Sequence, residues 1–310
     1  MKYYDIVISL GQYCITSLCL RRVNLQEETM VFDWSAGRLE DVAGKGGIAG
    51  KVDLICNDFK NFYNKEDFEN WGNNTDHDCG KFLIVNRRTG LQYKHDFPGD
   101  KSFEESFQEN REKYLRRAER LYQRISESNS VLFVYMAYDL GFENSYLIAQ
   151  YEKLQKKFPN KNIDMLFVMH DDKKDIYSFN EYNLSPNIKR IDLNFQYPSD
   201  PVFPENWNGN KDLYYPLLKN YCFTPVTIKH LNKSVENLED INNKLTSSVN
   251  ILKQQNDNLM QEMHNYLLKI EHLEQKPSSL EQIFSVKNEV NHKVIRIFGI
   301  KIKLRRKNNV

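Results

Sequence analysis

The sequence lacks the marks of several large protein classes. No stretch approaches the ~20 consecutive apolar residues that a membrane-crossing helix requires. The amino-terminal residues carry Lys2 and a short apolar run interrupted by Asp5. They have neither the long apolar region nor the small-residue cleavage site of a signal peptide. There are 5 cysteines in 310 residues, at irregular spacing and with no CxxC pair. That argues against a zinc ribbon, a thioredoxin-type redox motif and a disulfide framework. A cytoplasmic location is expected, and the sequons at Asn73 and Asn232 then carry no weight. An excess of positive charge is also missing: the formal net charge is +1, so no nucleic-acid partner is expected. No full GxGxxG or P-loop is present, and no cofactor is expected.

What is present is enough to build a core, with 40% hydrophobic and 13% aromatic residues. The run Asp5 to Leu10 is short, β-branched and closed by Gly11, which predicts a buried strand. A helix is expected from Cys14 to Val23. Runs 81–86 and 91–97, joined by Arg87-Arg88-Thr89-Gly90, predict a hairpin. Apolar spacing predicts a long amphipathic helix over 103–128. Further strands are expected at 131–137, 163–169 and 188–193, with a helix at 143–157. The runs VLFVYMA and IDMLFVM do not alternate, as befits strands covered on both faces. The expected fold is therefore α/β and three-layer. It has a mostly parallel, Rossmann-like sheet and an inserted hairpin region near 80–97. Residues 195–225, rich in proline and aromatics, read as an ordered wrap without regular elements.

From Leu231 the apolar spacing alternates four and three. Val235, Asn242, Val249, Asn256, Met263 and Ile270 form one row, and leucines dominate the other. β-Branched residues with buried asparagine on one row and leucine on the other favour a parallel two-stranded coil. A homodimer through 231–273 is expected, with a single helix packed on its own domain as the plainer alternative. The implied divisions are 1–225, the α/β domain; 226–276, the coiled coil; and 277–310, a basic tail. Within 293–307 apolar and basic residues alternate without an acid. Such a segment suits an anionic membrane surface, and a basic edge strand or a floppy terminus is the competing reading.

Candidate chemistry centres on Cys14. It follows a buried strand and the Gly11-Gln12-Tyr13 turn, at a helix start. Free backbone N–H groups and the helix dipole favour an anion there, which predicts a lowered thiol pKa. The same N–H groups suit an oxyanion. A buried structural cysteine is the plain alternative. A thiol nucleophile needs a base. His95 ends a strand just before Pro98. His170 closes the run IDMLFVM at the carboxyl edge of the sheet, where sites gather, and is the rival base. Each histidine also reads as an ordinary surface residue. His77, within Asp76-His77-Asp78-Cys79, is not taken as a metal site because contiguous residues rarely hold one ion.

The segments Ser9-Leu10-Gly11-Gln12-Tyr13-Cys14, Phe32-Asp33-Trp34 and His95-Asp96-Phe97 resemble the SLGxxC, FDW and HDF signatures of a bacterial family. That family is of unknown function and is described as putative papain-like cysteine peptidases. The resemblance covers roughly residues 3–200. It implies Cys14 as nucleophile and His95 as general base, with Gln12 as a donor to an oxyanion. Asp96 adjoins His95, and neighbouring strand residues point to opposite faces, so Asp33 is the chosen third member. The FGIKIK-type tail is similar to the ends of bacterial enzymes of surface-polysaccharide assembly, which implies membrane-proximal work on glycans. Two non-enzymatic readings stand beside the hydrolase: an anion- or glycan-binding module built on the Gly11–Cys14 turn, and a coiled-coil scaffold.

Overall fold

Apolar runs that do not alternate form strands covered on both sides, and the centre of the protein is built this way. The computed structural model describes residues 2–37, 47–73, 80–137, 142–195, 211–274, 284–289, 292–297 and 300–305. The Asp76–Cys79 segment, most of the glycine-rich stretch after Gly37, the proline-rich stretch 196–210 and Pro277 lie outside them. Contacts divide the chain into two units, Met1–Lys233 and Ser234–Val310.

The first unit opens with β1 (Lys2–Tyr3), β2 (Ile6–Ser9), α1 (Ile15–Arg22), β3 (Ser35–Gly37), α2 (Ile48–Cys56) and β4 (Phe68–Asn73). β5 (Phe82–Asn86), β6 (Leu91–Tyr93), α3 (Phe103–Glu127), β7 (Ser130–Ala137) and α4 (Asn144–Lys157) follow. It continues through β8 (Asn162–His170), β9 (Phe179–Ser185), β10 (Ile188–Leu193), α5 (Lys211–Tyr221) and β11 (Cys222–Phe223). The main sheet runs β2-β7-β8-β10-β9. Its β2/β7, β7/β8 and β8/β10 pairs are parallel, and β9 is antiparallel to β10.

Alternate residues of β7 enter different cores. Val131, Phe133, Tyr135 and Ala137 pack on one side with side chains of α2, α3 and α4. Leu132, Val134 and Met136 pack on the other with Ile15, Cys19 and Leu20 of α1 and with Tyr214 and Leu218 of α5. These are the three layers read from the sequence. The Rossmann-like part of that expectation needs correction, because the sheets are mixed. The main sheet ends in an antiparallel edge strand, and residues 186–187 alone connect β9 to β10. Only antiparallel strands accept so short a link. The expected hairpin, β5–β6, belongs to a separate antiparallel sheet ordered β3-β6-β5-β4.

A second correction concerns 211–223, expected to be irregular. It forms α5 and β11, although Pro216 lies inside the helix. Burial of Tyr214 and Leu218 against the α1 side of the sheet outweighs the local cost of the proline.

The helix α6 (Pro225–Glu274) is 50 residues long. Its first turn is tied to the first unit, where Thr227 Oγ1 donates to the Asn24 carbonyl at 2.9 Å. Along the second unit the predicted seam is open: Leu238, Leu245, Leu252 and Leu259 are 61–65% exposed. The tail forms an antiparallel meander of β12 (Phe284–Glu289), β13 (His292–Ile297) and β14 (Ile300–Arg305). In β14, Lys301 and Lys303 alternate with Ile300 and Ile302, and all four are exposed. A period of two is a strand pattern. No helix among the described residues is long and apolar enough to cross a membrane.

Candidate active site

The turn after β2 is the meeting point of the two sheets. Leu10 N–H still bonds to Val134 in β7, at 2.8 Å. Gln12 then donates its N–H to the Met136 carbonyl of β7 at 3.0 Å, and its own carbonyl accepts from Gly37 N–H of β3 at 2.8 Å. Gly11 is required by space. A Cβ there would lie 1.7 Å from Thr16 Oγ1 and 2.4 Å from Thr16 Cβ. The turn therefore delivers Cys14 directly to the N-cap of α1, in helical conformation and with no capping bond from its side chain.

Helix α1 begins hydrogen bonding with Leu18 N–H to the Cys14 carbonyl, at 3.1 Å. The N–H groups of Ile15, Thr16 and Ser17 thus have no intrahelical acceptor and surround the start of the helix. Cys14 is partly exposed. Its thiol pKa is raised, first by burial; its own backbone N–H and the charges of Lys94 and Lys51 oppose the rise without cancelling it. The lowered pKa expected from position alone is not found, because desolvation of the sulfur outweighs the helix terminus. Cys19, one turn on, is buried and pushed up to about 12 by its apolar surroundings.

Two further segments close on this turn. Ser17 Oγ donates to the Asp33 carbonyl at 3.1 Å, holding the Phe32-Asp33-Trp34 turn against α1. Asp33 is fully buried. Its Oδ2 accepts from Arg21 at 3.0 Å, Gln26 at 2.8 Å and Met30 N–H at 2.8 Å. Burial raises the carboxyl to about 6 against the pull of Met30 N–H, Arg21 and Arg117. None of the three donors is the His95 ring. Asp33 instead clasps the 26–33 loop, which α3 holds from outside through Arg120 to the Thr29 carbonyl and Arg124 to Glu28.

Just past this clasp, β3 pairs with β6, Ser35 opposite Tyr93. That register sets Trp34 beside the residues that follow β6. The rings of Trp34 and His95 meet edge to face, centroids 6.1 Å apart. Lys94 Nζ lies 5.9 Å from the centre of the Tyr13 ring, next to Cys14. The His95 segment is thus packed against the Cys14 turn. Its base is an aromatic cluster in which Tyr93 touches Tyr63, Phe68, Phe97 and Tyr114. Asp96 faces away: its carboxylate takes Lys113 and the Tyr114 hydroxyl, both from α3.

The residue that motif reading missed is Lys51. It is fully buried, donates from Nζ to the Gly11 carbonyl and lies 5.4 Å from the centre of the Phe32 ring. Burial lowers its pKa to about 7, against the opposing charges of Asp33 and Cys14. The signal was available. The buried face of α2 is Ile48, Lys51, Val52 and Ile55, so the spacing puts one lysine in an apolar stripe.

His170 ends β8, which lies two strands from β2 on the same carboxyl edge. Its Nδ1 accepts the Phe195 N–H at 3.1 Å and its ring stacks on Phe195, so it fastens the chain leaving β10. Burial lowers its pKa in spite of Asp171 and Asp172. Among the described residues no group of three His, Cys, Asp or Glu is placed to hold a metal ion.

A family model described as "Putative papain-like cysteine peptidase (DUF1796)" matches residues 5–173. The match contains Cys14, Asp33, Lys51, His95 and His170, and stops before α5 and α6. No curated protein and no solved structure matches the chain.

Proposed function

Since the chain belongs to the family of putative papain-like cysteine peptidases, we propose that it is a cysteine-nucleophile hydrolase or acyl transferase. Cys14 attacks a carbonyl carbon, His95 takes the thiol proton and returns it to the leaving group, and water or an amine resolves the thioester. The N–H groups at the start of α1, aided by Gln12, receive the oxyanion. Asp33 serves by fixing the loop that sets Trp34 against the His95 ring.

One observation carries this reading: the turn bearing Cys14 and the segment bearing His95 are packed together, with Lys94 over Tyr13 and Trp34 against His95. A generic activated ester tests it. p-Nitrophenyl acetate should give a burst of nitrophenol equal to the enzyme present. Cys14→Ser should abolish the burst, and His95→Ala should slow acylation by about 10²–10⁴-fold. A burst that survives Cys14→Ser would falsify the proposal.

The raised thiol pKa favours a second reading, in which the Gly11–Cys14 turn binds an anion or glycan without catalysis. In that case Cys14→Ser would retain binding, and His95→Ala would leave thiol alkylation unchanged. In either case α6 is proposed to join two copies in parallel along 231–273. Its exposed leucine row and the in-phase Asn242 and Asn256 support this. The exposed apolar and basic residues of β14 support an address at an anionic membrane surface. A link to surface-glycan assembly rests only on the likeness of the tail.

A further inference from the structure

Lys51 takes no part in the reaction proposed above, yet it occupies a demanding position. An ammonium without solvent access forfeits its hydration, and a hydrocarbon side chain of the same length would fill the slot more easily. Its surroundings give the charge an environment all the same. These are the Gly11 carbonyl, the face of Phe32 and the buried Asp33 carboxylate. The Gly11 carbonyl belongs to the turn that presents the sulfur, and the Cys14 and Lys51 charges each act on the other.

We propose that Lys51 is the positioning residue for Cys14, fixing the nucleophile turn through the Gly11 carbonyl and stabilising the thiolate from inside the protein. The proposal rests on Cys14 being the nucleophile. The groups facing this pair come from four places. Asp33 precedes β3 and is itself faced by Arg21 of α1 and Arg117 of α3. Lys94, beside His95, acts on Cys14 from the segment after β6. Cys19, on α1, feels the Cys14 charge. Lys94 is partly exposed and Lys51 is sealed. Salt therefore screens the first far more than the second.

A buried ammonium that loses its proton near neutrality leaves a signature in the thiol. Lys51 titrates at about 7. Below that pH the sulfur ionises beside a cation; above it, beside a neutral amine. The rate of Cys14 alkylation by iodoacetamide in the full chain, followed by mass spectrometry, reports the thiolate fraction. In the wild type the logarithm of that rate should climb, flatten across about pH 7, and climb again. The shoulder should survive high salt and should also survive His95→Ala, which removes the imidazole as its source.

Lys51→Met should give one straight slope. It should be about tenfold slower than the wild type near pH 6, and the two should converge near pH 9. A merely structural lysine would lower the rate equally at every pH, and that result overturns the proposal. So does a wild-type profile without a shoulder, which needs no variant and stands if Lys51→Met fails to fold. The profile reads the thiol rather than turnover. A shoulder in a chain without esterase burst would sink the hydrolase and keep only the coupling of Lys51 to the Cys14 thiol. A Cys14-dependent burst without the shoulder would do the reverse.

Discussion

Gly11, Lys51 and Asp33 show how closely single side chains determine the Cys14 turn. Gly11→Ala drives a methyl group into Thr16, including its Cβ at 2.4 Å, which no rotamer change relieves. The expected cost is about 1–3 kcal/mol in denaturant unfolding. Thr16→Gly should restore part of it, whereas Thr16→Ala, which keeps the Cβ, should not. Lys51 also makes stability depend on pH. Its pKa falls from 10.5 to about 7 on folding, so its contribution is present above the unfolded value and lost as pH drops through 7. Relative to Lys51→Met, the wild type should therefore lose denaturant midpoint as pH falls from about 10.5 to about 7 and lose no more below that; a constant gap would contradict this. At this scale the sequence singled out Cys14 and His95 as candidates through their place after a strand and before a breaker. Lys51 carries a fainter signal, because the short apolar stripe of α2 that holds it directly follows a glycine-rich stretch. Nor did position after a strand predict the sign of the thiol shift, since burial of the sulfur depends on segments far away in the chain.

Among the elements, α3 does most to hold the site from outside. Its start is a complete capping box, Ser102 with Glu105. Arg120 and Arg124 reach from its far half to Thr29 and Glu28 on the Asp33 loop. Ser102→Ala should cost about 1 kcal/mol of unfolding free energy, without a change in Cys14 alkylation, because the cap lies at the opposite end from those arginines. The elements legible in the sequence were those with strong patterns: α3 by its stripe, β7 and β8 by unbroken apolar runs, β5–β6 by their turn. β9 was invisible because it is a mostly exposed, polar edge strand. α5 was hidden by Pro216, and the tail strands offered alternation that fits a sheet or a bilayer surface equally.

At the scale of the chain, two compact units share one long helix. At about 1.5 Å per residue, the 50 residues of α6 extend roughly 75 Å, and its row of leucines is exposed. Sedimentation of the full chain should give twice the chain mass, and removal of 234–310 should give a monomer; a full chain that sediments singly refutes the coil. Replacing both Asn242 and Asn256 by leucine should raise thermal stability while loosening the choice of two strands. Fold class was readable at this scale because layered α/β order follows from element order. The mixed sheets were not, because the pairing of β3 with β6 joins residues separated by the whole of α2 and β4. The stitch at Gln12 has a consequence of its own. One residue hangs its amide on the parallel sheet and receives an amide from the antiparallel one. Deuterium uptake at Gln12 therefore gauges parting from the first sheet, and uptake at Gly37 gauges parting from the second. A molecule wedged over the sulfur should slow both together, giving a ligand search that needs no knowledge of the reaction.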